Sequence, residues 1–174
     1  MTTSKREPSI YDEFPTAFAA ALRNLTLRLE REEISLQEAR SIAEDMVKAD
    51  GEAWDIFFTL HATNHDGHPL LLVALGLINS ALATLRNAPA RVRALVAADL
   101  ARALLMTDKR GLAEAELARA TDLMEQVSLD EPGATGVSGM IRSVQIDLLR
   151  SQKRYDEARA LNPEPAPPAP GSIA

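Results

Sequence analysis

The sequence predicts an all-α fold of about eight helices, and three observations carry that prediction. Ala and Leu supply 53 of the 174 residues, Val and Ile together supply 15, and aromatics make up 4 %. That balance favours helix formers over strand formers. Apolar residues recur at three- and four-residue spacing along most of the chain, the period of one helix face. Five of the ten prolines fall between Pro163 and Pro170, while residues 16–131 hold only Pro69 and Pro89. Two arrangements satisfy this pattern: stacked antiparallel hairpins, or an irregular helical bundle. Residues 1–13 read as a flexible N-terminal segment, 14–162 as one all-helical domain, and 163–174 as a Pro-rich disordered tail.

The first helix is expected over 15–32, where Phe14, Phe18, Leu22, Leu25 and Leu29 share a face. Ser35-Leu36-Gln37-Glu38 opens the second with a capping-box pattern, in which Ser accepts from the N3 amide and Glu reaches back. Its stripe is Ala39, Ile42, Ala43, Met46 and Val47, and Gly51 suits the left-handed position that ends a helix. A third, over 52–64, carries Trp54, Phe57 and Phe58, so the first and third helices are expected to meet in an aromatic-rich core. Pro69 opens the fourth, whose first half is apolar all round and is expected to be buried. Asn87-Ala88-Pro89 breaks it. The fifth, over 89–108, turns Val92, Leu95, Val96, Leu100 and Ala103 inward, and the sixth, over 112–127, buries Leu117, Ala120, Leu123, Met124 and Val127. A loop at 128–138 contains Pro132, Gly133 and Gly136. The seventh helix is expected over 139–151 on Ile141, Val144, Leu148 and Leu149, and a short eighth runs from Tyr155 to Leu161.

Two turns are locally alike: Lys109-Arg110-Gly111-Leu112-Ala113-Glu114-Ala115 and Gln152-Lys153-Arg154-Tyr155-Asp156-Glu157-Ala158. Each has basic residues, a large apolar residue, an acid, then Ala. This resembles the inter-helix turn of tetratricopeptide (TPR) repeats, where a small residue lets two helices cross closely. Ser35–Ala39 and Leu71–Ala74 are further candidates. The matching alanines, 39, 74, 115 and 158, are 35, 41 and 43 residues apart, against about 34 in a regular array. The resemblance covers mainly residues 90–161 and implies a scaffold whose stacked hairpins form a groove for a peptide or partner helix.

A net charge of −6 weighs against general nucleic-acid binding. The charge is uneven: residues 11–67 carry a net −7, whereas 86–110 carry Arg86, Arg91, Arg93, Arg102, Lys109 and Arg110 against two acids. Those six basic residues are the candidate partner-binding surface, for another protein or for a second copy of the chain. The longest apolar run, Leu70 to Ile78, is nine residues, far short of the roughly 20 of a bilayer span. With no secretory core at the N-terminus, a cytoplasmic protein is expected.

The absence of cysteine excludes disulfide frameworks, thiolate metal sites and cysteine nucleophiles. The eight glycines stand singly, so no Gly-rich phosphate loop is present. All three histidines fall in His61-Ala62-Thr63-Asn64-His65-Asp66-Gly67-His68. His61 and His65 are one helical turn apart, and His68 or Asp66 would complete a site for zinc or a similar divalent metal. Three functions follow in order of preference: a non-enzymatic scaffold mediating protein–protein interaction, as adaptor, chaperone or assembly factor; a helical metal-binding protein or small enzyme using the histidines; and a homodimeric structural subunit.

Overall fold

The structure, a computed structural model, describes residues 16–61 and 69–162. Among these residues there are seven helices and no strand: α1 (Thr16–Glu30), α2 (Leu36–His61), α3 (Pro69–Leu85), α4 (Ala90–Met106), α5 (Arg110–Met124), α6 (Ala134–Ser151) and α7 (Tyr155–Leu161). The all-α prediction holds. The count differs because the second and third expected helices form one element, kinked at Asp50 (φ −155°, ψ 59°). The break falls at Asp50, and Gly51 does not take a positive φ, so it is not left-handed. A Cβ there would make ordinary contacts with Leu85 Cδ2 at 3.4 Å and Leu82 Cδ2 at 3.9 Å. The N-terminal segment, the Pro-rich tail and most of the histidine cluster lie outside the described residues. No described helix is long and apolar enough to cross a membrane.

Ser35 caps α2 as its sequence predicts. Its Oγ accepts from the Glu38 amide at 3.2 Å, while Glu38 Oε2 accepts from the Ser35 amide and hydroxyl, each at 2.8 Å. The amide bond first, then the hydroxyl bond, and lastly the charge of Arg28 hold the Glu38 carboxyl below its ordinary 4.5. A carboxyl with a lowered folded pKa stabilises the fold above its unfolded value and loses that contribution as pH falls through the folded one. Ser35→Ala is therefore expected to lower Tm at neutral pH and to flatten the acid-side fall in Tm below about pH 4.5. Thermal melts between pH 3 and 7 check this; parallel curves for both proteins would refute it.

Two core clusters share α4. One joins Leu22, Leu25, Leu29, Val47 and Trp54 to the inner face of α3 and to Leu100, Ala103 and Leu104 of α4. Trp54, 1 % exposed, thus shares a core cluster with the α1 leucines, and the other aromatics of that expected core lie outside the described side chains. α3 is buried along both halves, by Leu71, Val73, Ala74 and Leu77 in the first and by Ile78 and Ser80 to Ala83 in the second, but not all round, since Leu70, Leu72 and Leu75 remain partly exposed. The second cluster packs Ala94, Ala97, Ala98 and Ala101 of α4 against Leu117 and Ala120 of α5 and Val137, Ile141, Val144 and Leu148 of α6.

The expected α4 stripe reaches both clusters, through Leu100 and Ala103 on one side and Leu95 on the other, but omits the four buried alanines. Its alanine face lets α5 and α6 approach closely, and all four alanines have zero exposure. Ala97→Leu adds volume where no cavity receives it and is expected to cost about 1–3 kcal/mol. The same change at exposed Ala115 should stay within about 0.5 kcal/mol of wild type. Urea denaturation separates the two; equal losses at both sites would contradict the close packing.

Four helices end on the same backbone device without glycine. Glu32, Asn87, Asp108 and Lys153 take φ of 55°, 49°, 57° and 61°. Behind them the amides of Glu33, Ala88, Lys109 and Arg154 donate to the carbonyls of Arg28, Ala83, Leu104 and Leu149 at 2.9–3.0 Å. These are the six-to-one bonds of Schellman ends.

The α4–α5 and α6–α7 turns agree further. Thr107, Asp108 and Lys109 match Gln152, Lys153 and Arg154, each 45 residues on, and N-caps Lys109 and Arg154 have φ/ψ of −90°/60° and −89°/62°. This register pairs Ala113 with Ala158, both buried, and not Ala115, which is exposed. Residue similarity aligns the basic side chains; the backbone aligns the left-handed residue, whatever its side chain.

The loop before α6 is shorter than expected, because α6 starts at Ala134. Ala134 and Val137 extend its buried stripe one turn back, while Gly136 and Gly139 face solvent. Gly133 (φ 84°) makes the entry, and a Cβ there would sit 2.9 Å from Arg91 Nη1.

Candidate functional site

The six basic residues proposed from sequence do not form one surface. At about 100° per residue, Arg91 and Arg102 share one side of α4 and Arg93 points roughly opposite. Arg91 Nε donates to Glu131 Oε1 at 3.0 Å, tying α4 to the loop before α6. The Arg93 Nε is buried and has no hydrogen-bond acceptor, as when an arginine stem runs along a core. Arg110 pairs locally with Asp108 at 2.8 Å. Lys109 lines a hollow at the helix ends with Leu29, Glu30, Glu32, Pro69, Leu70, Met106 and Thr107. Arg86 and Arg102 are exposed.

The metal candidates His65, Asp66 and His68 lie outside the described residues, as does the side chain of His61, the last residue of α2. Among the described residues no group of three metal-ligating side chains is assembled.

A buried ionic cluster was missed from sequence. Glu116, on α5, is 7 % exposed and receives Arg40 from α2 and Arg119 from its own helix, the latter through Nε at 3.0 Å. Ser80 Oγ on α3 accepts from Arg119 Nη2 at 3.1 Å and Arg40 Nη1 at 3.5 Å. Four side chains thus close a ring that bridges α2, α3 and α5. A signal for it does exist in the sequence, because Glu116 falls within the stripe of Ala113, Leu117 and Ala120. An acid in an apolar stripe is buried only when paired.

A concavity of about 560 Å³ lies between α5, α6 and α7. Leu117, Leu148, Leu149 and Leu161 form its floor, with Ala118 and Ala160 beside them and Thr121, Gln145 and Gln152 at the edges. At its mouth Arg154 Nε and Nη2 donate to both Glu157 oxygens at 2.7 and 2.6 Å. The Glu157 bond first, then its charge, and finally Glu114 hold the Arg154 guanidinium above its ordinary pKa. The same bond holds the Glu157 carboxyl below the usual range. The groove lining is half leucine and alanine and half polar or charged side chains, drawn from three helices. No protein-family model, curated protein or solved structure matches the chain.

Proposed function

We propose that the chain is a non-enzymatic helical scaffold that binds a segment of another protein in the α5–α6–α7 groove. The observation that carries this reading is the groove itself, an open slot with a leucine floor and a hydrogen-bonding rim. Helical grooves of this composition hold apolar side chains while edge glutamines and threonines bond to the backbone.

The 45-residue recurrence of the turn supports a TPR-like pair of tandem hairpins, α4–α5 and α6–α7. In that register Ala94, Ala97, Ala98 and Ala101, which α6 covers, correspond to Gly139, Arg142, Ser143 and Ile146. The first three of these are exposed. A face of this polarity suits the last unit of a stack, since terminal repeats turn a polar side outward. The same polarity disfavours a second copy stacking there to make a head-to-tail homodimer.

Ala118 lines the groove and is exposed, so Ala118→Trp fills the slot without entering the core. Both full chains, immobilised, are offered an extract of the cells that make the protein. Proteins held by wild type and lost with Ala118→Trp support the reading. Identical sets on both columns overturn it.

A further inference from the structure

We propose that the occupant of the α5–α6–α7 groove is an apolar protein segment carrying a lysine or arginine, which pairs with Glu114 at the groove mouth. This rests on reading the groove as a docking site. Three charged side chains line it: Glu114, Arg154 and Glu157. Arg154 is already committed, with Nε and Nη2 on Glu157 and Nη1 donating to Gln152 Oε1 at 3.1 Å. That pair closes on itself and leaves no net charge. Among the described residues no hydrogen bond or ion pair occupies the Glu114 carboxylate. The groove therefore presents an apolar floor and charged lining residues that sum to −1, with Glu114 near Arg154 but not bonded to it.

An apolar segment with a cation satisfies both features; one with an anion meets repulsion from Glu114 and finds Arg154 already taken. An acidic rim charge selects among partners more than it adds affinity. Exposed pairs of this kind are weak individually, so attraction by one peptide and repulsion of the other together give about a five-fold preference.

Two labelled peptides of equal length test this, each with the same leucine spacing, one with lysine and the other with glutamate at the remaining positions. Binding to the full chain is followed by fluorescence anisotropy at physiological salt. Because the whole chain is acidic, Glu44→Lys on α2, exposed and outside the groove, controls for net charge. The leucine–lysine peptide is expected to bind about five-fold tighter than its counterpart. Ala118→Trp should abolish that binding. Glu114→Lys should remove or reverse the preference while Glu44→Lys keeps it.

Equal binding of both peptides, still sensitive to Ala118→Trp, overturns the charge assignment and leaves the docking site standing. Lysine-peptide binding untouched by Ala118→Trp overturns the docking site as well. Binding that appears only after residues 163–174 are removed assigns the groove to the chain's own tail. Dimerisation abolished by Ala118→Trp assigns it to a second copy. Either of these last results overturns the proposal.

Discussion

Glu116→Leu is expected to destabilise the fold by about 3 kcal/mol, the low end for removing one partner of a buried charged group. The cost comes from what is left behind. Arg40 and Arg119, with side chains 21 % and 38 % exposed, would remain close together with no carboxylate between them. The partial exposure of Arg119 lets water screen part of that repulsion, which keeps the estimate from the top of the range. Ser80 accepts from both guanidiniums but carries no charge to balance them.

The triple replacement Arg40→Met, Glu116→Leu, Arg119→Met removes the stranded charges and is expected to recover most of the loss. Urea denaturation with unchanged m-values measures both. If Glu116→Leu alone lies within about 0.5 kcal/mol of wild type, the cluster contributes nothing and its assignment is wrong. The cluster joins α2 and α3 to α5 through long side chains, so its loss should also raise hydrogen exchange along α5 before it does so in α3.

Leu100→Ala is the second large effect, at about 2–5 kcal/mol. Leu100 has zero exposure and belongs to the cluster shared with α1–α3. Its partner is Gly76, where a Cβ would stand 3.1 Å from Leu100 Cδ1 and 3.5 Å from its Cα. The helices α3 and α4 cross this closely because one of them lacks a side chain at the contact.

Gly76→Ala alone sets a helix-propensity gain of about 0.8–1.0 kcal/mol against a contact tighter than most Cβ atoms make. After Leu100→Ala that conflict disappears, and the added methyl occupies part of the new cavity. The double mutant is therefore expected to be more stable than Leu100→Ala alone, with a coupling of about 0.5 kcal/mol or more. Additive losses would show that α3 and α4 do not cross at this point.

Fold class was legible because it depends on local propensity and period. Alanine and leucine abundance, the Ser35 cap and the breaks at Asn87 and Asn162-Pro163 all act within a few residues of chain. The kink at Asp50 was less legible: Gly51 marks its place, but the non-helical residue is Asp50 and Gly51 takes no positive φ. The turn register was misread for a related reason. Lys109-Arg110 and Lys153-Arg154 look equivalent as residues, yet the left-handed positions are Asp108 and Lys153, and φ leaves little trace in side-chain type.

The site was harder still. Clustered arginines in sequence fall on opposite sides of α4, because a basic segment one helix long presents its charges all round. Glu116 stood in view within an apolar stripe, but its partner Arg40, and Ser80 that bonds the same arginines, are 76 and 36 positions away in a chain whose tertiary pairing is not local. The groove has no sequence signal at all, being lined by residues of three helices that only the tertiary packing brings together.

Hydrogen exchange on the full chain, with and without a protein retained by wild type and lost with Ala118→Trp, addresses the docking claim most directly. Binding in the groove predicts slowed exchange in the second half of α5, the second half of α6 and α7, with α1 to α3 unchanged. Protection confined to α1–α3, with no change along α5–α7, would contradict it.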